Sequence, residues 1–217
     1  MFRILNHQAE RVAIVASGPS LRHFDLYRFA DHPEITTIAV NGAFRYMNKP
    51  HFWFTLDPSV ENVKIAQQAV LAGTKAIMAV PDDYGTPAAR IALYKTPRIQ
   101  GVHYMRRLDK PIGFPDTVSG LAEYVGEIQT GNSGFGALNA AYHMRPKKIG
   151  IFGVDGSTGY FYTGSNCRDL GHLPVLFDKA EAQLKAQGIK VVNGSPDSAL
   201  NTFPKCSPEQ ALDWLLT

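Results

Sequence analysis

Val12-Ala13-Ile14-Val15-Ala16-Ser17-Gly18-Pro19-Ser20-Leu21 decides how this chain reads. Its five leading residues are apolar without alternation, as in a strand buried on both faces. Ser17-Gly18-Pro19-Ser20 then supplies turn chemistry. A counterpart follows past the middle of the chain. There Thr130-Gly131-Asn132-Ser133-Gly134-Phe135-Gly136 opens the small-residue run Ala137 to Met144, and the strand-like Lys148 to Val154 comes next. A small-residue turn at the end of a buried strand leaves backbone N–H groups to hold a phosphate or similar anion. Two such turns imply one nucleotide-type ligand held between two halves of an α/β sheet.

Working outward, short apolar runs alternate with longer segments of helical spacing, the rhythm of an α/β fold. Strands are expected at Val12–Ala16, Thr36–Val40, Phe52–Leu56, Lys75–Val80, Val102–Met105, Lys148–Phe152 and Lys190–Val192. Helices are expected over Pro58 to Ala72, with Val60, Val63, Ile65 and Val70 on one face; over Ser133 to Met144; and over Val175 to Gln187, with Leu176, Ala180 and Leu184. Ser207-Pro208-Glu209-Gln210 is a capping box that opens a last, purely structural helix. The fold class is therefore a Rossmann-like, doubly wound, mainly parallel sheet with helices on both faces. Two segments break the rhythm: Leu108 to Gly131, and the Gly/Ser/Thr/Tyr-rich Gly153 to Pro174, which reads as a lid or binding loop. Residues 1–217 read as one domain with that lid at about 153–174.

Composition excludes several classes. The net charge of +3 is mild, and Arg106-Arg107 and Lys147-Lys148 are too short for a nucleic-acid track, so solvated turns are expected for both. Cys167 and Cys206 make no disulfide framework. No signal peptide and no membrane-length apolar stretch is visible, so a cytoplasmic protein is expected.

Candidate chemistry gathers at strand ends. Gly18 lets a ligand approach the backbone, while Pro19 and Ser20 suit the start of a helix. The turn is neither GxGxxG nor a P-loop. Asn41-Gly42, after the second strand, suits a ribose or base contact as well as a plain turn. Asp57, after the third, suits either a ligand contact or a cap with Pro58 at the first helical position. His172 precedes a helix and is the side chain best suited to take a proton near neutral pH, with a surface histidine as the alternative. Tyr160 and Tyr162 lie upstream in the same loop as hydrogen-bond donors. No HExxH, cysteine cluster or spaced acidic pair appears, so no metal is expected. A Gly-x-Ser-x-Gly elbow is also absent, against an α/β-hydrolase.

Together these residues resemble the bacterial sialyltransferases of glycosyltransferase family 42. The likeness lies in Gly18-Pro19-Ser20-Leu21, Asn41, Gly131-Asn132-Ser133-Gly134 and Ile151-Phe152-Gly153-Val154-Asp155. It continues through the tyrosine loop, through His172 followed by Lys179, Ala180 and Leu184, and through Asn193-Gly194-Ser195-Pro196-Asp197-Ser198-Ala199-Leu200. The resemblance implies inverting transfer from a CMP-sugar donor to a hydroxyl of a carbohydrate or small-molecule acceptor, with no essential metal. It makes His172 the general base and Tyr160 and Tyr162 donors to the leaving phosphate. It also turns Ser17, Gly18, Pro19, Ser20, Asn41, Gly131, Asn132, Ser133, Gly134 and Asp155 toward the donor, and sets Ser195, Pro196, Asp197 and Ser198 near the cytidine.

The front half is also similar to the archaeal 6-hydroxymethylpterin diphosphokinases, through Gly18-Pro19-Ser20-Leu21, Asn41-Gly42 and Thr55-Leu56-Asp57-Pro58. That likeness implies diphosphate transfer from ATP with Mg²⁺, and Asp57 or Asp155 as metal ligands. A third reading is a catalytically idle nucleotide-binding module.

Overall fold

The computed structural model describes residues 9–84, 98–108, 118–129, 131–156, 159–162 and 170–217. In chain order the elements are β1 (Arg11–Val15), β2 (Thr36–Val40), β3 (Phe52–Thr55), α1 (Val60–Leu71), β4 (Lys75–Val80), β5 (His103–Leu108) and β6 (Glu127–Gln129). They continue with α2 (Ser133–His143), β7 (Lys148–Phe152), α3 (Leu173–Ala186), β8 (Lys190–Asn193) and α4 (Pro208–Leu216). Short 3₁₀ helices at Pro19–Leu21, Leu26–Asp31 and Asn41–Tyr46 complete the order.

All eight strands form one sheet in the order β6-β5-β4-β3-β2-β1-β7-β8, and every pairing is parallel. The sheet grows from β1 to β6 in one direction, then returns to add β7 and β8 on the other side of β1. Strand order therefore reverses between β1 and β7, the place where open α/β sheets leave a crevice at their carboxyl ends. The buried core of β1 (Val12 to Val15), all of β2 and all of β3 explain the continuous apolar runs.

Alternation within each strand divides the core. Val12, Ile14, Ile38, Val40, Phe52 and Phe54 pack under α2 and α3 with Phe135, Leu138, Leu176 and Phe177. Ala13, Val15, Ala39, Trp53 and Met78 face Leu26, Phe29, Val63, Ile65, Ala66 and Leu212. Helix α2 makes the return crossing and touches β6, β3, β2 and β1. Gly134 to His143 are all buried, so the small residues are explained by a helix covered on every side. Serving as both cap and box, Ser207 and Gln210 open α4 as the sequence predicts.

Several expectations are corrected. Pro19 and Ser20 begin a single 3₁₀ turn rather than a helix. Arg106 and Arg107 belong to β5 instead of a solvated turn. Lys148 opens β7, although Lys147 is exposed and paired with Glu10. The irregular stretch before Gly131 contains β6. On α1 the buried face is Asn62, Val63, Ile65, Ala66 and Ala69, while Val60 is exposed. Cys206 is a free thiol; Cys167, Thr130 and part of the 153–174 loop lie outside the described residues. Among the described residues, no helix is long and apolar enough to cross a membrane.

Candidate active-site cleft

Strand ends build a cleft of about 990 Å³ along the carboxyl edge of the sheet. Ala16 to Gly18 follow β1, Asn41 and Gly42 follow β2, Leu56 to Ser59 follow β3, and Arg107 lies near the end of β5. Gly131 to Gly134 lead into α2, and Gly153 to Gly156 follow β7. Tyr160, Tyr162 and His172 complete the wall. Eleven residues singled out from the sequence thus meet: Ser17, Gly18, Asn41, Gly131, Asn132, Ser133, Gly134, Asp155, Tyr160, Tyr162 and His172.

The two glycine turns are held differently. The first is stitched to the turn after β7: Ala16 N donates to Phe152 O at 2.8 Å, and Gly18 N donates to Gly153 O at 2.8 Å. Ser20 N donates to Asp155 Oδ2 at 2.8 Å and Ser20 Oγ to Asp155 Oδ1 at 2.7 Å. Ser20 Oγ also lies 2.9 Å from Ser195 Oγ, which accepts from Gly153 N at 3.1 Å. Because Ser20 spends its proton on the carboxylate, Ser195 must donate to Ser20. A one-way chain of hydrogen bonds thus runs from Gly153 through both hydroxyls to Asp155. The seam is too tight for a side chain at Gly18, where a Cβ would lie 2.5 Å from Asp155 Oδ2 and 2.6 Å from Gly153 O. Gly153 itself stands at φ +67°, in the region that favours glycine.

Ser20 and Ser195, expected to face a ligand, therefore act behind the cleft wall. Ser198 does the same, donating through Oγ to Val154 O at 3.0 Å. Pro19, Pro196 and Asp197 do not line the cleft. Asp155 is part of the wall, but both of its oxygens accept from Ser20.

The second turn keeps its helix end toward the cleft. Asn132 caps α2 by accepting from Gly134 N at 2.7 Å, and Ser133 Oγ accepts from Leu56 N at 3.2 Å, tying α2 to the end of β3. The first-turn N–H groups of a buried helix carry partial positive charge, which favours an anion.

Asn41 adopts φ +50°, a left-handed conformation that asparagine tolerates better than most residues. Thr55 Oγ1 donates to its Oδ1 at 2.7 Å, and Trp53 Nε1 donates to its carbonyl at 2.9 Å. Both partners lie on β3, so the buried sheet fixes this bend. Ser17 Oγ is buried and makes no well-formed hydrogen bond among the described residues. The Tyr162 phenol lies close enough to feel it: burial raises the Tyr162 pKa, and the Ser17 hydroxyl lowers it in part. The half-buried His172 stands at the amino end of α3, without a described hydrogen-bond partner for its imidazole.

Residues missed in the sequence complete the cleft. Arg107 Nη1 donates to Leu56 O at 3.0 Å, and Arg45 pairs with Glu61. Asn62 Nδ2 donates to Asp57 O at 3.0 Å. The cap of α1 is Ser59, with Pro58 outside the helix, and Asp57 Oδ1 accepts from Ser59 N at 3.1 Å. Asp57 thus accepts within its own turn, and Asp155 accepts from the turn after β1. Among the described residues no three His, Cys, Asp or Glu side chains gather as a metal site.

No family model and no curated protein matches the chain. Solved structures do, and they define a fold used by glycosyltransferases. The Maf glycosyltransferase from Magnetospirillum magneticum AMB-1 is similar over 100% of this chain at a TM-score of 0.58 and 12% identity. This chain spans 40% of that protein's length. The sialyltransferase CstII from Campylobacter jejuni, in complex with the substrate analogue CMP-3FNeuAc, aligns over 92% of this chain and 86% of its own at a TM-score of 0.53 and 14% identity. The same enzyme with a trisaccharide acceptor and CMP gives 0.52 and 15%, over 91% of this chain and 86% of its own.

Proposed function

We propose that this chain is a glycosyltransferase-like domain, and more narrowly a sialyltransferase-like enzyme. It would move a sugar from a CMP-activated donor to a hydroxyl acceptor with inversion. The observation that carries the reading is the convergence of both glycine turns, Asn41, the tyrosine pair and His172 on one cleft. The neighbours with CMP or its sugar conjugate bound share that fold.

In this reading the N–H groups of Gly131, Asn132 and Ser133 receive the donor phosphate, the Ser17-Gly18 turn faces the donor, and Asn41 meets the nucleoside. His172 accepts the acceptor's hydroxyl proton while that oxygen attacks the anomeric carbon. The bond from that carbon to the phosphate oxygen breaks, and CMP departs with the electron pair. The Tyr160 and Tyr162 phenols donate hydrogen bonds to the charge arriving on the phosphate. Their partial burial strengthens such bonds by excluding competing water. The segment 153–174 serves as the lid, carrying both the phenols and the base.

The test compares wild type with His172→Ala on CMP-sialic acid and a range of sugar acceptors. Loss of a general base lowers kcat by about 10²–10⁴-fold, while stabilisation by CMP is retained. Normal turnover by the variant removes His172 from the mechanism. Stabilisation by CMP without wild-type turnover on any sugar donor would identify an idle nucleotide-binding module.

A further inference from the structure

We propose that Tyr46 is a positioning residue for the tyrosine pair, holding the Tyr162 phenol against Gly42 in the cleft wall; the catalytic part of this proposal rests on the transferase reading above. Tyr46 ends the 3₁₀ helix that begins at Asn41. Its ring stacks on Tyr162 at 4.9 Å between centroids with 19° between planes. Tyr160 also stacks on Tyr162, at 5.4 Å and 13°. Tyr162 is therefore the ring common to both pairs. Phe161 closes the cluster edge-on, 5.0 Å from Tyr46 and 5.1 Å from Tyr162.

Two contacts fix this stack to the body of the protein. Phe161 N donates to Ser17 O at 3.0 Å, binding the tyrosine segment to the first glycine turn. A Cβ added to Gly42 would lie 2.8 Å from Tyr162 Oη, so Gly42 leaves the space in which the phenol rests. The stack's other support descends from Asn41, whose bend is held by Thr55 and Trp53 of β3. One short helix thus joins a rigid strand to the outer ring of the stack. Tyr46 does not itself line the cleft, so it acts through Tyr162. Hydrogen bonds to developing charge depend on donors being fixed before the reaction, and a ring held by two stacked neighbours and an edge-on Phe161 meets that condition.

The test has two independent readouts on full-length protein. Ultraviolet absorbance titration follows the phenols, with Tyr162→Phe assigning the Tyr162 component. Burial raises that component in wild type, and Tyr46→Ala moves it downward while Tyr46→Phe leaves the neighbouring ring in place. In parallel, turnover of CMP-sialic acid is expected to lose about tenfold in kcat in Tyr46→Ala, the size of losing one stacked ring pair. KM for the donor stays within about twofold, and Tyr46→Phe restores kcat. An unmoved Tyr162 titration in Tyr46→Ala overturns the positioning role, as does an unchanged kcat beside wild-type turnover. Absence of turnover in wild type instead defeats the transferase reading, while the titration still decides whether Tyr46 holds the phenol.

Discussion

Two buried polar networks each support one of the glycine turns, and they do so by different physics. At the seam between β1 and β7, the Asp155 carboxylate is met by two donors from Ser20, and the 195–198 loop backs the arrangement. Beneath α2, a neutral amide does the same work. Asn139 Oδ1 accepts from Ala122 N and from Gln129 N, both at 2.9 Å, and Asn139 Nδ2 donates to Ala122 O at 3.1 Å. One turn further along the helix, His143 Nε2 lies 2.9 Å from Glu127 O and donates to it. The first network aligns two loops at the cleft; the second fixes the crossing helix to β6 and thereby aims its amino end. Both turns are held from behind, so the faces they turn to the cleft remain available to a ligand.

The largest effect on stability is expected from adding a methyl group to the seam. Gly18→Ala drives a Cβ into Asp155 and the Gly153 carbonyl, and should cost about 1–3 kcal/mol as an overpacked site, read by urea denaturation. Equal stability would mean that the turns are not clamped together. Asp155→Asn puts an amide donor where one of two Ser20 donors now points. It should cost about 1–3 kcal/mol, from an unsatisfied buried donor, and weaken CMP binding by displacing the turn. A stable variant with normal CMP binding would reduce the seam to packing.

The neutral network is expected to respond to acid. Burial lowers the His143 pKa, against the opposing pull of the Glu127 carbonyl and the Glu123 and Glu127 carboxylates. His143 is thus neutral in the fold at a pH where the unfolded chain begins to take up a proton. Its contribution is complete above the unfolded value of about 6.5 and is lost as pH falls through the lower folded value. Denaturation midpoints should fall below about pH 6.5, and His143→Gln should flatten that slope. An equal slope in the variant would assign the acid sensitivity elsewhere. The smallest stability effect belongs to His172, which joins neither network: His172→Ala should stay within about 0.5 kcal/mol of wild type. A larger loss would show that His172 helps to hold the fold.

The strands were legible because burial on both faces leaves little room for polar residues, as in Ala13-Ile14-Val15 and Phe52-Trp53-Phe54. Strand β6 was not, since Glu127-Ile128-Gln129 is three residues long and two of them are polar. Of its two polar residues Glu127 is partly exposed, whereas Gln129 is buried. Arg106 hid the end of β5 for a related reason, being exposed and paired with Asp82 and Glu127. Glycine turns announce themselves locally, so both halves of the cleft could be read. Arg45 and Arg107 could not, because only the strand order brings them to the same rim. The Asn41–Tyr46 helix escaped notice since a 3₁₀ turn leaves no long amphipathic period. Ser195 and Ser198 were legible as polar residues near the site, but their burial behind the wall depends on β8 lying beside β7.

Thermal-shift titration with CMP, run beside ATP with Mg²⁺, tests the account most directly. A cleft made by two clamped turns predicts a concentration-dependent rise in Tm with CMP, reflecting about 2.7 kcal/mol of added stability when CMP reaches 100 times its Kd, and no selective gain from ATP–Mg²⁺. No stabilisation by any cytidine nucleotide, or stabilisation by ATP–Mg²⁺ alone, would contradict it.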